Sequence, residues 1–406
     1  MATASRPCLR ALVGDDEAFL AEHWEQRHLL DRGAPGRADD FAALLRSSDL
    51  LELVAERGLR SPFFRLVRDG AGLPASGYLR SAGAGHTTVH DLANPGRIAE
   101  EIWAGATLVG QALQRTWPPL RDFCAALAGE LGHRVQANAY LSPPDAEGFD
   151  LHYDTHDVFV LQVEGTKQWS VHAAADHLPH RRRRGAPPPR FGEPVWDGVL
   201  EPGDCLYLPR GFGHRARTSG EPSLHLTVGV LALTWRHVLR QLADLLPEQD
   251  DALRRALPPG ALTDEAPERF DEAWDEFRSL LVEQLATFDP TPVRERLQQD
   301  VWSAHPPPGA ADELARAVRG AVPGPSDAMV LRHGSLERHE WTEAGVVLVR
   351  RDRVVRLPAA AAPLVRRLLA GDPVRADDAA HGLDVDSALV VVRRLFREGL
   401  LERAAG

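Results

Sequence analysis

Between residues 134 and about 231 the chain alternates short apolar runs with Gly and Pro breaks: RVQANAYL, DVFVLQV, KQWSVH, DCLYLP and SLHLTVGVL. Runs of this length, rich in β-branched and aromatic residues and bounded by turn formers, predict an antiparallel sandwich or barrel. The period differs on either side. In DDEAFLAEHWEQRHLL acidic residues precede Phe19, Leu20 and Trp24 at helical spacing, and PLRDFCAALAGELG closes on Gly132 as a helix stop should. Residues 1 to about 125 are therefore expected to be mainly helices and loops. Helical periodicity returns over 234–320 in WRHVLRQLADLL and FDEAWDEFRSLLVEQLATF. There Trp235, Val238, Leu239, Leu242 and Leu246 form a stripe wider than one short helix hairpin could bury. From 327 onward strand-like segments precede two short helical patterns, the order of a small winged helix.

Length changes this picture only by division: 406 residues exceed one comfortable core, so two or three domains are expected. Hydrophobic content of 44% and charged content of 26% are those of a soluble globular protein. A net charge of -11 argues against non-specific binding to nucleic acid or anionic membrane. The tail from 327 carries 13 Arg against 12 Asp plus Glu, too even a balance for a phosphate footprint, so it is read as a packing or interaction module. No run of about 18 apolar residues occurs, and the start of the chain has no leader-like apolar stretch, so a cytoplasmic protein without membrane partners is expected. Cys8, Cys124 and Cys205 have no metal-type spacing and read as reduced thiols. The run Arg181 to Arg184, followed by APPPR, reads as a solvated loop, with a substrate-facing basic lip as the alternative.

The candidate chemistry begins at HYDTH, residues 152–156. On a helix, His152 and His156 would share a face at a zinc-site spacing, but the VFVLQV that follows favours strand. On a strand of period two, His152, Asp154 and His156 project to one face. The Gly-flanked loop after DCLYLP then delivers His214. Two imidazoles and one carboxylate leave open positions on a metal, the facial arrangement of non-haem Fe(II) oxygenases. Among 17 histidines, an isolated H-x-D is more often a surface or capping pair. The only lysine in the chain, Lys167, tips the balance, because it follows the hairpin-like VEGT directly after the metal segment. A 2-oxoglutarate chelated through its keto acid leaves a far carboxylate in need of a cation. An ammonium about 4 Å away gains on the order of 4 kcal/mol before desolvation at an intermediate dielectric. An arginine fork is larger and planar, and would not easily replace it at a narrow barrel end.

At these residues the sequence resembles the JmjC-type ribosomal oxygenases, protein hydroxylases with a cupin-like barrel. NAYLSPPDAEGFDLHYDTHDVFVLQVEGTKQW resembles the core motif of that family, and PGDCLYLPRGFGHRA with SLHLTVG its distal metal strand and partner. FLAEHWEQRHLL resembles its N-terminal F-x-x-x-x-W-E-x-x-P-L segment, with His28 where proline is usual. The resemblance implies an α+β fold: a double-stranded β-helix (cupin/JmjC jelly roll) with N-terminal helices over 1–232, a helical dimerisation domain over 233–322, and a winged helix over 323–406. It implies Fe(II) and 2-oxoglutarate as cofactors, His152, Asp154 and His214 as iron ligands, and Lys167 as the 2-oxoglutarate partner. Asn138, Tyr140 and Thr227 would line the pocket, with His225 beside them and Trp169 in the core. It implies a homodimer that hydroxylates an Arg or His side chain of a ribosomal protein, with no nucleic-acid partner. A natural-product precursor peptide is the alternative substrate, since the Arg-rich loop would suit an acidic leader while the net charge suits a basic segment. A non-catalytic cupin-like binding protein should have lost a ligand or the lysine, and neither is lost. A zinc-dependent sugar isomerase has no use for the lysine.

Overall fold

The computed structural model describes residues 6–179, 189–264, 268–304, 310–320, 322–332, 334–350 and 352–404, and the run Arg181 to Arg184 lies outside them. Contacts divide the chain into one unit of residues 1–113 with 126–301 and a second of 114–125 with 302–406.

The first unit begins with helices α1 (Pro7–Val13) and α2 (Asp16–Glu22), strand β1 (Leu29–Asp31), and helices α3 (Arg37–Leu44) and α4 (Ser47–Ala55). The Asp15 carboxylate accepts hydrogen bonds from the Glu17 and Ala18 amides and so starts α2 where the acidic cluster predicts. Next come β2 (Phe64–Arg68), β3 (Ala71–Gly72), β4 (Leu79–Ala84), β5 (Thr87–Ala93), α5 (Pro95–Trp103) and β6 (Thr107–Gly110). These strands qualify the expectation of mainly helices and loops up to about residue 125. Most are short or exposed, as in β4, so they carry no clean inside–outside alternation for a sequence to display. Helix α6 (Pro118–Leu131) ends at Gly132, whose φ of 68° is the left-handed stop.

The barrel strands follow: β7 (Arg134–Ser142), β8 (Asp157–Glu164), β9 (Lys167–Ala174), β10 (Pro194–Leu200), β11 (Cys205–Leu208), β12 (Phe212–Arg217) and β13 (Ser223–Leu231). One sheet has the order β1-β11-β8-β13-β7-β6-β2-β3 and the other β10-β9-β12. Val158, Val160, Leu206 and Leu208 of the large sheet pack with Trp169, Val171 and Leu200 of the small one, closing the sandwich. β8 is buried from Asp157 to Val163, so its run is apolar on both faces. VEGT does not close a hairpin, because β8 and β9 belong to different sheets; the connection between them turns at Gly165, where φ is 60° and a Cβ would run into the Pro222 carbonyl. Two further corrections concern the site. His214 lies inside β12 and not on a loop, and His152 and Asp154 precede β8, which starts only at Asp157.

A buried ionic network fastens the segment after α2 to the barrel. Arg210 pairs with Asp157 at 2.8 Å and with Glu25 at 2.6 Å. The Tyr207 hydroxyl donates to Asp157 at 3.2 Å and accepts from the Glu25 amide at 2.9 Å. Burial pushes the Asp157 carboxyl up, and Arg210 opposes that shift only in part. The unit ends in helices α7 (Trp235–Gln249), α8 (Glu268–Thr287) and most of α9 (Thr291–Ser303).

The second unit contains α10 (Ala310–Arg319), β14 (Met329–Leu331), β15 (Arg338–Thr342), β16 (Gly345–Val349), β17 (Val354–Pro358), α11 (Ala362–Leu369), α12 (Val385–Arg397) and β18 (Leu401–Arg403). Val346, Leu348, Val355 and Leu357 from the β15-β16-β17 sheet pack with Leu364, Leu368, Val392 and Leu395 of α11 and α12 into one core.

Removing one partner of the buried network leaves the other charged and alone. Arg210→Met is expected to destabilise the protein by about 3–5 kcal/mol in denaturant unfolding. Pairing it with Asp157→Leu should recover part of that loss.

Candidate active site

The segment carrying His152 and Asp154 has no strand partner along its length, yet it is fixed at three points. The His152 amide donates to the His214 carbonyl at 3.2 Å, the His214 amide returns a bond to the His152 carbonyl at 2.8 Å, and the Gly211 amide donates to the Asp154 carbonyl at 2.9 Å. This antiparallel bridge sets the two imidazoles side by side, their ring centres 4.4 Å apart. The candidate ligand atoms of His152, Asp154 and His214 all lie within 4.8 Å of one another, and His214 Nε2 is 3.7 Å from Asp154 Oδ2. His156, which strand parity placed on the same face, is not in this cluster and packs against Gly229 of β13. Parity failed there because the segment is not a strand.

Each imidazole is oriented by its other nitrogen. His152 Nδ1 meets the Asp150 carbonyl at 2.7 Å and His214 Nδ1 the Phe212 carbonyl at 3.1 Å. A carbonyl can only accept, so each Nδ1 carries a proton, and on His214 the lone pair of Nε2 is left facing Asp154. Burial, reinforced by the neighbouring His152, depresses His214 to about 4, which keeps that lone pair unprotonated at neutral pH.

One cavity joins this cluster to Lys167, with Val67, Val158 and Val160 among its walls. Lys167 is 2% exposed and opens β9 directly after the turn that leads from one sheet to the other. Its Nζ donates to Ser142 Oγ at 2.9 Å, which in turn meets Thr107 Oγ1 at 2.9 Å. Among the described residues no carboxylate pairs with it, and desolvation alone lowers its pKa to about 7. Two more polar atoms in the same cavity are buried without partners, Trp169 Nε1 and His225 Nδ1. Trp169, expected in the core, is thus also a cavity wall.

Tyr140 and Thr227 line the cavity as expected. Tyr140 stacks on His225 with ring centres 4.8 Å apart, and burial pushes its phenol up to about 12. Asn138 does not line it. Instead its Oδ1 accepts from the Ala112 amide at 2.9 Å, and its side chain hydrogen-bonds Tyr140 from behind. Sequence reasoning missed Ser142, Thr107 and Phe149. Phe149 sets its edge against His152 and Tyr140. Only the register of β6 against β7 brings Thr107 to Ser142, and a single sequence does not display register.

Part of the chain is similar to known proteins. Residues 114–238 match the family described as JmjC domain. The chain is 32% identical over 262 residues to "Ribosomal oxygenase 1" of Gallus gallus, covering 61% of this chain and 41% of that protein. It is 39% identical over 145 residues to the "Bifunctional lysine-specific demethylase and histidyl-hydroxylase NO66" of Drosophila persimilis, covering 34% and 21%. The chain therefore spans 41% and 21% of the length of these two relatives. Among solved structures, Escherichia coli ribosomal oxygenase YcfD is similar with a TM-score of 0.50 at 20% identity, over 96% of this chain and 98% of that one, a likeness of fold. The segment similar to the JmjC domain, residues 114–238, contains His152, Asp154, Lys167 and His214.

Proposed function

We propose that the chain is an Fe(II)- and 2-oxoglutarate-dependent oxygenase that hydroxylates a side chain of a protein. The observation that carries this reading is the single cavity holding both the His152, Asp154, His214 cluster and the unpaired Lys167 ammonium. The donor set suits iron, since two imidazoles and one carboxylate leave positions for co-substrate and dioxygen. Lys167 suits 2-oxoglutarate, since its ammonium lines the cavity with only the neutral Ser142 hydroxyl to accept from it and can pair with the far carboxylate. When bound, iron and 2-oxoglutarate supply the chemistry: one oxygen atom of dioxygen enters the substrate C–H as hydroxyl, the other enters succinate, and carbon dioxide leaves.

The chain's own residues bind, orient and exclude. His152 and His214 hold their tautomers through backbone carbonyls. Tyr140 stays a neutral phenol and can donate into the cavity, while Val67, Val158 and Val160 keep water out. Names of relatives, ribosomal oxygenase and histidyl-hydroxylase, support an Arg or His side chain of a ribosomal protein as the target. A net charge of -11 favours such a basic partner.

The arrangement over 233–322 supports a homodimer: Trp235 and Leu239 are 82% and 64% exposed, and no residue of α8 is buried. The order of β14 to β18 with α11 and α12 supports a winged helix over 323–406. No described helix is long and apolar enough to cross a membrane, in keeping with a cytoplasmic site of action.

His152→Ala and His214→Ala should abolish Fe(II) binding and conversion of 2-oxoglutarate to succinate, and full turnover in either would refute the ligand assignment. Lys167→Ala should leave iron bound and weaken 2-oxoglutarate about 10- to 100-fold, the loss of one charge-assisted hydrogen bond. The same lysine sets a pH dependence. Its folded pKa lies below the unfolded value, so between about 7 and 10.5 the folded apoprotein binds fewer protons and gains stability as pH rises. Binding a dianion demands the ammonium, so 2-oxoglutarate affinity should fall as pH climbs above about 7, approaching tenfold per unit, with proton uptake visible by calorimetry in two buffers. Mass spectrometry of host ribosomal proteins with and without the gene tests the substrate: a gain of one oxygen is expected on an Arg or His, and none would shift the assignment to a peptide precursor. Light scattering at micromolar concentration should give twice the chain mass of 44.5 kDa.

A further inference from the structure

The second unit contains a cleft of about 690 Å³ between α10 and the end of α12, a volume in the range of small-molecule sites. It is lined by Glu313, Arg316, Asp352, Arg353 and Arg397, with Phe396 as an apolar floor. The two lining carboxylates are already taken. Glu313 pairs with Arg350 at 3.3 Å and Arg353 at 3.9 Å, and Asp352 pairs with Arg350 at 3.1 Å and Arg353 at 2.8 Å.

What remains is an excess of buried donors. Arg350 is 2% exposed, and its Nη1 has no acceptor. Gly399, whose φ of 72° follows the end of α12, packs its backbone against that nitrogen, since a Cβ there would collide with it and with Glu313. Arg316 is held in place by its stack over Phe396 at 5.3 Å and by the bond from its Nη1 to the Leu401 carbonyl at 3.2 Å. Its Nη2 is also buried without a partner. Guanidinium nitrogens shielded from water and left without acceptors call for an oxyanion in their plane. Leu314, 70% exposed, together with Ala317 and Val322, lines the same cleft with aliphatic surface. A hydrated inorganic anion would leave that surface bare.

We propose that this cleft is a second binding site, separate from the metal cluster, for a carboxylate carried on an apolar chain. The carboxylate lies against Arg316 with Arg397 at the rim, and the apolar chain covers Leu314 and Val322. Its source is either a free carboxylic acid or an acidic residue flanked by apolar ones in a polypeptide.

The test uses the full-length protein without added metal, titrated by calorimetry with hexanoate, acetate, hexylamine and hexyl phosphate. Saturable hexanoate binding is expected, at least tenfold tighter than acetate, with no binding of hexylamine. It should persist in Lys167→Ala, which removes the cation of the metal-side cavity, and weaken at least tenfold in Arg316→Gln and about threefold in the exposed-rim variant Arg397→Gln. A blocked peptide with one glutamate among leucines, tighter than hexanoate, would assign a polypeptide source; the reverse order would assign a free acid. Absence of saturable binding in Lys167→Ala would overturn the proposal, as would unchanged affinity in both arginine variants. Tighter binding of hexyl phosphate would overturn the carboxylate assignment.

Discussion

An ammonium kept from water without a counter-ion is the constraint around which the barrel is arranged. Lys167 is fully enclosed, its only described hydrogen-bond acceptor is the Ser142 hydroxyl, and desolvation alone brings its pKa to about 7. Such a group weakens the fold that holds it, so the surrounding structure has to compensate. The strands around it do so: β8 is buried along nearly its whole length, β13 is buried on both faces, and the two sheets close over a continuous apolar cluster. The sheet-to-sheet turn that positions the lysine is equally constrained, since Gly165 both turns the chain and lies against the Pro222 carbonyl. A dianionic co-substrate would relieve the strain by restoring the charge it needs, so binding and barrel integrity are linked through one side chain.

The parts of the fold legible in the sequence were those where burial imposes a pattern. β7, β8, β9, β11 and β13 appear as apolar runs between turn residues because each contributes to a closed core. The strands that went unread lack that imprint. β1 has three residues of middling exposure, β4 is mostly exposed, and β10 alternates only loosely beside a register shift. β12 was taken for a loop because FGHRAR carries Gly, His and Arg where a strand usually shows β-branched residues. Its strand character comes from pairing with β9, a contact between residues about forty positions apart.

The site divides in the same way. His152, Asp154, His214 and Lys167 could be found by residue type and spacing, and the structure gathers them in one cavity. Local geometry was misread, because the histidine and aspartate reach the cluster from a bridged segment and not from a strand face, which is why His156 falls outside it. The supporting residues were invisible for a different reason. Thr107 and Ser142 are unremarkable in sequence and matter only through a hydrogen-bond chain to the lysine that register creates. Asn138 was chosen for its place on the strand before the metal segment, whereas its amide oxygen serves the Ala112 backbone.

Buried charge in this protein comes in two kinds, and the difference separates architecture from chemistry. Arg210 lies among Asp157, Glu25 and Tyr207 with each partner supplied by the chain itself, and the network joins the N-terminal segment to the barrel. Such groups are satisfied and need nothing from solution. Lys167 is enclosed just as tightly, yet the chain offers it a single neutral hydroxyl. Folding alone has no use for that arrangement, since an apolar side chain of similar volume would hold the barrel end more firmly. An enclosed charge that the protein declines to pair is therefore evidence for a partner that comes and goes. Lys167 shares its cavity with the buried nitrogens of Trp169 and His225 beside the His152, Asp154 and His214 cluster, so the enclosed charge and the candidate ligands face one volume.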